Sequence, residues 1–411
     1  MEEATQRFIE EHLREDVHEL ALKKTPAGVD RALALCQIEA RQILSKKVPS
    51  WANHPDLLFP PHLSIEQCSS EATARYKADL LQGGSLVDLT GGLGIDCCFL
   101  SQHFQQTDYV ERNPELCALA RHNFEVLHRS GALSNSIAVH QAAAEDYLNA
   151  SAPVDCIFLD PARRDAQGRK MVSIADCTPD VVALQDLLLQ KARQVLVKLS
   201  PMLDITQALS ELRHVKEIHI VAVSNECKEL LFLMESQFQG TPTCTCVDLH
   251  FNSLCFVEGF AVPFSVFRFP FSVLRSPFSV FRSPFSVLRY LYEPNAALMK
   301  AGCFALLEER FQVRQLHPNS HLFTSGQLVE GFPGRIFEVE GWAPYHKGVK
   351  KTLLQGVEQA SVAVRNFPLT VAELRKALRL ADGDEVYLFA TTLGGNEKVL
   401  IRTHKVTEKG L

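Results

Sequence analysis

Asp88, Thr90 and three glycines, Gly91, Gly92 and Gly94, lie in one short stretch between an apolar run (Leu86–Leu89) and a segment of helical character beginning at Ile95. An acid at the end of a buried strand, followed at once by glycines, is a device for holding a polar ligand. The glycines let the backbone turn tightly and let a ligand approach without meeting a Cβ. The helix N-terminus that follows offers free N–H groups. Glu111 lies 17 residues past Gly94 and closes the β-prone run Thr107–Glu111, where a ribose-binding carboxylate belongs. Asp160-Pro161 closes another apolar run, Cys156–Leu159, and Arg163 and Arg164 follow it. Two guanidiniums there suit a phosphate or a carboxylate. Glu145-Asp146 follows a strand at Ser136–Val139. It offers acceptors for an adenine amino group or, more blandly, charge favoured at a helix N-terminus. Glu66, Gln67, Ser69 and Ser70 read either as a polar lip over the ligand or as a helix start, with Ser64 and Gln67 as a capping box.

These groups need a scaffold that brings strand ends together. Pro114–Leu127 reads as a helix, Gln194–Lys198 and Glu217–Val223 as strands, and Ile205–Leu212 as the helix between them. Leu230–Met234 returns straight after the Asn225–Glu229 bend, too soon for a crossover helix, so the last pair is antiparallel. A parallel sheet closed by an antiparallel hairpin fits a class I methyltransferase and not a nicotinamide dehydrogenase. Thr5–Lys24 and Asp30–Lys46 read as amphipathic helices, and Pro49, Pro55, Pro60 and Pro61 stop helix formation after them.

At 411 residues the chain is long enough for two to four domains. Its 46% hydrophobic and 22% charged residues are ordinary globular composition. A net charge of −6 excludes a protein that is basic throughout, yet residues 331–411 carry 12 Lys/Arg against 9 Asp/Glu. Lys347, Lys350, Lys351, Arg365, Arg375, Lys376 and Arg379 supply that local charge, as a nucleic-acid face or a solvated one. The twelve cysteines are scattered, and Cys244-x-Cys246 has no second pair at zinc-finger spacing. Buried free thiols in a reducing cytoplasm and no metal site are therefore expected. No signal peptide and no membrane-spanning run is read. No oligomeric state follows from the sequence.

Residues 263–290 carry a heptapeptide repeat, Pro-Phe-Ser-Val-(Phe/Leu)-Arg-x, with Pro263, Pro270, Pro277 and Pro284 at equal spacing. A proline every seventh residue excludes a coiled coil, and a tandem duplication forming a surface hairpin or disordered loop is expected. Beyond it, a helix starts near Asn295 and strands are expected at Ile336–Val339, Glu385–Thr391 and Lys398–Thr403. The last two are joined by a hairpin turn at Gly394-Gly395-Asn396. Thr370–Leu380 reads as a helix with Thr370 and Glu373 as its capping box.

Taken in order, Glu66-Gln-Cys-Ser-Ser-Glu71, Asp88–Gly94, Tyr109-Val-Glu-Arg112, Leu159-Asp-Pro-Ala-Arg-Arg164, Asp176-Cys-Thr-Pro-Asp180, Lys198-Leu-Ser-Pro-Met-Leu-Asp204 and Asn225-Glu-Cys-Lys-Glu-Leu230 resemble a bacterial family. It is the family of class I S-adenosylmethionine-dependent methyltransferases with a THUMP-like C-terminal domain. The resemblance implies an α/β fold with a Rossmann-like seven-stranded sheet ending in an antiparallel hairpin. It also implies an N-terminal helical cap and C-terminal α+β parts, one ferredoxin-like and one THUMP-like. The expected domains are a helical cap (1–62), a methyltransferase domain (63–239), a ferredoxin-like middle domain (240–335) with the repeat as an insert, and a THUMP-like domain (336–411). S-adenosyl-L-methionine is the implied cofactor, with Asp88 and Gly91 to Gly94 at its amino-acid end, Glu111 on the ribose and Asp146 at the adenine. Gln67, Ser69, Thr90 and Arg112 complete the cofactor set. Asp160 and Pro161 would face the methyl acceptor, and Arg163, Arg164, Asn225 and Lys228 would bind it.

The expected activity is methyl transfer to a nitrogen of an RNA base, RNA being implied by the company THUMP domains keep. Uracil-C5 chemistry is disfavoured, because Lys198-Leu-Ser-Pro201 holds no cysteine where that mechanism needs one. A methyltransferase of a small molecule or protein, and a non-catalytic RNA-binding protein with a vestigial pocket, are the alternatives.

Overall fold

The computed structural model describes residues 2–163, 174–249, 256–257, 260–261, 265–271 and 286–406. The chain forms two compact units. One comprises 1–224, 228–243 and 249–264; the other comprises 225–227, 244–248 and 265–411.

The first unit opens with helices. The segment Thr5–Lys24 is not one helix but two, α1 (Glu3–His12) and α2 (Val17–Leu22). Asp16 causes the break. Its carboxylate accepts from the backbone N–H groups of His18 and Glu19 at 2.8 and 3.0 Å and caps a new start. Phe8, Ile9 and Leu20 share a small core, whereas Leu22 is 89% exposed, so the apolar residues of this segment do not all lie on one buried face. α3 (Arg31–Lys47) starts on Asp30 as N-cap, and α4 (Pro49–Ala52) follows with proline at its first position.

The strap 52–59 has little secondary structure, so side chains satisfy its carbonyls. Arg41, buried on α3, donates to the carbonyls of Ala52, His54, Pro55 and Leu57 at 2.8–3.0 Å. Gln37 bonds both backbone groups of Phe59, and Asn123 both of Leu58. Trp51, Leu57 and Phe59 then pack in one core with Ile95, Tyr109 and Phe124.

α5 (His62–Gln67) and α6 (Glu71–Ala78) correct the helix-start reading in one respect. Pro61, not Ser64, stands at the N-cap of α5, so Ser64 and Gln67 form no capping box there; Ser70 caps α6 by accepting from Thr73 N–H.

The sheet of this unit is built from β1 (Ser85–Asp88), β2 (Gln106–Glu111), β3 (Ile137–Gln141), β4 (Val154–Leu159), β5 (Ala192–Leu199), β6 (Val215–Val223) and β7 (Glu226–Glu235). Their order is β6-β7-β5-β4-β1-β2-β3. β1 pairs parallel with β2 and β4, β2 with β3, and β4 with β5, while β7 runs antiparallel to β5 from Gln194↔Glu235 to Leu199↔Leu230. This is the expected parallel sheet with its antiparallel close. The parallel strands are joined by helices, among them α7 (Ile95–Leu100), α8 (Pro114–Arg129), α9 (Ala144–Ala150) and α10 (Val181–Lys191); α11 (Ile205–Glu211) leads into β6.

Thr243–Leu249 (β8), most of which belongs to the second unit, neighbours Ser265–Pro270 (β9), so the described part of the first repeat copy is a strand. Most of the remaining copies lie outside the described residues. A second sheet holds β10 (Tyr290–Pro294), β11 (Arg314–Gln315), β12 (Phe323–Ser325), β13 (Gly334–Pro344), β14 (Ser361–Val364), β15 (Tyr387–Thr392) and β16 (Lys398–Lys405), in the order β11-β12-β10-β13-β16-β15-β14. Only β14–β15 is a parallel pair. β13 is far longer than the four residues expected, with a register shift between Val339 and Gly341. α12 (Ala296–Ala301), α13 (Phe304–Phe311), α14 (Val349–Leu353) and α15 (Val371–Leu378) complete this unit. α15 carries the complete Thr370/Glu373 capping box.

Among the described residues no helix is long and apolar enough to cross a membrane, and no group of histidines, cysteines and acids is arranged to hold a metal. The described cysteines are free thiols, mostly buried.

A candidate cofactor and methyl-acceptor site

β1 delivers Asp88 to the carboxyl end of the sheet, and the glycine loop follows. Gly92 and Gly94 have positive φ, +53° and +87°. A Cβ on Gly91 would stand 2.1 Å from the ring of Tyr109, and one on Gly94 would stand 2.8 Å from that of Phe124. These two glycines are thus required first by the protein's own aromatic side chains, before any ligand arrives. Tyr109 Oη donates to the Gly92 carbonyl at 2.5 Å and fixes the loop from beneath. Glu111 fixes it from the side, its carboxylate accepting from Gly92 N–H at 3.1 Å and Asn113 N–H at 2.8 Å. Each of its oxygens retains a lone pair for a further donor.

Asp88 is 1% exposed. Its Oδ1 accepts from Thr90 N–H at 3.0 Å, while Oδ2 is buried and has no partner among the described residues. Burial pushes this carboxyl well above the usual carboxylate range, and the nearby charges of Asp96, Asp160 and Glu111 push it the same way. Thr90 in turn accepts from the backbone N–H of Asp160 at 2.6 Å, which ties the end of β4 to the loop.

Beside Asp88 lies a charge network that the sequence reading did not find. Lys77, on α6, is completely buried and donates to both oxygens of Glu229 at 2.7 and 2.8 Å and to Ser69 Oγ at 3.2 Å. It also stands 3.3 Å from Asp96. Ser69 Oγ donates to Asp96 Oδ2 at 2.7 Å. Lys198, at the end of β5, donates to Asp160 Oδ2 at 2.5 Å and to the same Ser69 Oγ at 3.1 Å. Two ammonium groups therefore face three carboxylates, Asp96, Asp160 and Glu229. Burial raises Asp96, but Lys77 and Lys198 outweigh it and hold that carboxyl below its ordinary value. At Glu229 burial wins over Lys77 and the carboxyl is raised. Lys198 is opposed by burial, yet Asp160, Asp96 and Glu229 keep it firmly protonated.

Asp160 is half-exposed, its side chain 38% accessible, and Pro161 beside it is buried. Lys198 occupies Oδ2, which leaves Oδ1 without a hydrogen-bond partner among the described residues. Gln67, Arg112 and Asp146 are exposed at the ends of α5, β2 and the start of α9. Lys228 is exposed on β7. Asn225 belongs to the second unit, where its Oδ1 accepts from Ala296 N–H at 2.8 Å and its N–H donates to Asp248. Its amide oxygen is thus committed at the start of α12. The backbone of Arg163 pairs with Cys177; its side chain and all of Arg164 lie outside the described residues.

Lys77, Asp96 and Glu229 were missed because each looks ordinary in its local sequence. The signal for Lys77 is faint: it is flanked by Ala74 and Ala78 on the buried side of α6. Asp96 is the one acid in the apolar run Ile95–Leu100.

A ferredoxin-like domain family matches residues 290–333, and a THUMP domain-like family matches residues 334–405. The crystal structure of a candidate methyltransferase from Porphyromonas gingivalis W83 is similar over 98% of this chain and 98% of that one, at 36% identity and TM-score 0.83. More distant likenesses include M. capricolum TrmK in complex with S-adenosyl-homocysteine (10% identity, 40% of this chain, 68% of that chain, TM-score 0.31). Another is a candidate rRNA methylase from Clostridium thermocellum (13% identity, 43% of this chain, 99% of that chain, TM-score 0.29). Those two are too dissimilar to support an argument. No curated protein matches.

Proposed function

The chain belongs to the class I methyltransferase family of the Porphyromonas gingivalis protein, and from that premise we propose that it is an S-adenosylmethionine-dependent methyltransferase acting at a nitrogen of an RNA base. The observation that supports this most is the unpartnered Asp88 Oδ2, buried beside a network in which carboxylates outnumber ammonium groups. Such a pocket suits a ligand that brings positive charge and N–H donors. S-adenosylmethionine carries both, in its sulfonium and its α-ammonium, and when bound it supplies an electrophilic methyl group.

In this reading Asp88, Thr90, Gly91, Gly92 and Gly94 hold the amino-acid end, with Gln67 and Ser69 closing over it. Glu111 and Arg112 take the ribose and Asp146 the adenine edge. Asp160 does the work on the acceptor side. Lys198 pins one oxygen, so the other points where an acceptor N–H can donate to it. A carboxylate in that position orients the nitrogen lone pair along the transfer axis and stabilises the charge that develops there. The Pro161 carbonyl adds a second acceptor. Arg163, Arg164 and Lys228 would contact the rest of the acceptor. THUMP-like residues 334–405 support RNA as the acceptor class by association.

Calorimetric titration with S-adenosylmethionine and with NADH, on the wild type and Asp88→Ala, tests the premise. Donor binding that disappears in the variant is expected, followed by transfer of labelled methyl to an RNA pool. Absence of donor binding, or preference for NADH, would overturn the reading. Donor binding without labelled RNA would remove RNA alone and direct the search to small-molecule or protein acceptors.

A further inference from the structure

We propose that Arg335 and Arg365, held side by side on the buried Glu293, form a binding site for a phosphate-class oxyanion in the second unit. This inference does not depend on the methyl-donor pocket. Glu293, on β10, is 2% exposed. Arg335 is its cross-strand partner on β13. The strands come this close because residue 334 is glycine: a Cβ there would stand 2.1 Å from the Glu293 carbonyl oxygen. Arg335 donates to Glu293 Oε2 through both Nε, at 2.7 Å, and Nη2. Arg365, just past β14, donates to Oε1 at 2.8 Å.

One guanidinium neutralises one carboxylate, so the second leaves a net positive charge. The two arginine side chains remain 38% and 39% exposed although their anchor is buried. Arg335 has no partner for Nη1 among the described residues, and Arg365 none for Nε; Arg365 Nη1 has only a 3.4 Å bond to the Val364 carbonyl. Among the described residues neither arginine forms an ion pair with a second acid. His321, stacked on Phe304 with its Nδ1 buried and unpartnered, is held below the usual histidine range by burial, by Arg365 and by His317. The result is two planar forks fixed on a common pivot, each partly exposed and with donors to spare in a positive field, although Arg365 Nε itself is buried. That is the geometry of oxyanion recognition by arginine, which lysine does not reproduce. The oxyanion could belong to a polynucleotide backbone or to a free phosphate compound.

Arg365→Gln tests this on the full chain. It leaves the Glu293–Arg335 pair balanced, so the fold survives; should it not, Arg365→Lys keeps the charge on Glu293 while losing the fork. One arm measures pyrophosphate binding by calorimetry. The other measures a fluorescent single-stranded RNA by anisotropy across a potassium chloride series. Expected for the wild type is binding in at least one arm, weakened about tenfold in either variant. In the RNA arm the Gln variant lowers the slope of log K against log salt by about 0.7 for one lost phosphate. An effect confined to RNA identifies a backbone phosphodiester, and one confined to pyrophosphate a free phosphate compound. Wild type and variants binding alike in both arms, or no wild-type binding in either, would overturn the proposal. The first of these outcomes would leave RNA as methyl acceptor standing.

Discussion

Lys77 and Glu293 are both buried ions, each engaged by more than one group of opposite charge, and the difference between their surroundings is one of sign. Around Lys77 and Lys198 three carboxylates meet two ammonium groups, and beside them a fourth carboxyl, Asp88, keeps one oxygen without a partner among the described residues. Around Glu293 one carboxylate meets two guanidiniums. In the first cluster only Asp160 is well exposed; in the second both cations are partly exposed over a buried anchor. A buried charge must be paired wherever it lies. What remains after pairing shows which ligand charge each place can receive: a cation at the glycine loop, an anion on the second sheet.

Breaking the pairing should hurt the two clusters unequally. Lys77→Met strips the buried Glu229 of its ion pair and leaves only Lys198, 3.9 Å from Asp96, to offset the two carboxylates, and urea unfolding should show a loss of about 3–5 kcal/mol. Arg365→Gln leaves Glu293 paired, so its loss should be far smaller; equal losses would erase the distinction between the clusters. Gly91→Ala tests whether the loop above the first cluster is held by packing. Driving a methyl into Tyr109 should cost about 1–3 kcal/mol and weaken donor binding, by the same unfolding assay and by calorimetry.

Asp88→Asn sharpens the sign of the first cluster. The carboxyl is raised in the folded state, so the folded protein keeps a proton that the unfolded chain releases near pH 4. Stability from this group is therefore full below that pH and falls as pH rises toward the folded value. The asparagine variant should lose this decline, gaining stability over the wild type at pH 8 more than at pH 4, while binding the donor roughly tenfold less tightly. A parallel pH dependence in both proteins would show that Asp88 is not the buried acid described. Glu373→Ala is the mildest change. Removing half of the α15 capping box should cost about 0.5–1 kcal/mol in the second unit and leave donor affinity untouched.

The legible parts of this molecule are those whose cause is local. The glycine loop, the acids that end β1, β2 and β4, and the Thr370/Glu373 box announce themselves within a few residues. The antiparallel close was legible because the bend before Leu230 leaves no length for a helix. The network around Ser69 was not legible. Lys77 meets Glu229 across 152 positions and Ser69 meets Lys198 across 129, and nothing in their local sequence marks them as partners. The break at Asp16 was hidden for a different reason. Apolar periodicity continued through it, and only the capping geometry shows that the helix restarts.

The five cross-strand pairs between β10 and β13, from Tyr290↔Glu338 to Pro294↔Gly334, join the ferredoxin-like stretch 290–333 to the THUMP-like stretch 334–405. They have a consequence for inheritance. A recombination breakpoint between codons 333 and 334 would give each descendant gene half of one sheet, with an unpaired edge at its centre. A gene that kept either stretch alone would need a substitute strand to cover that edge.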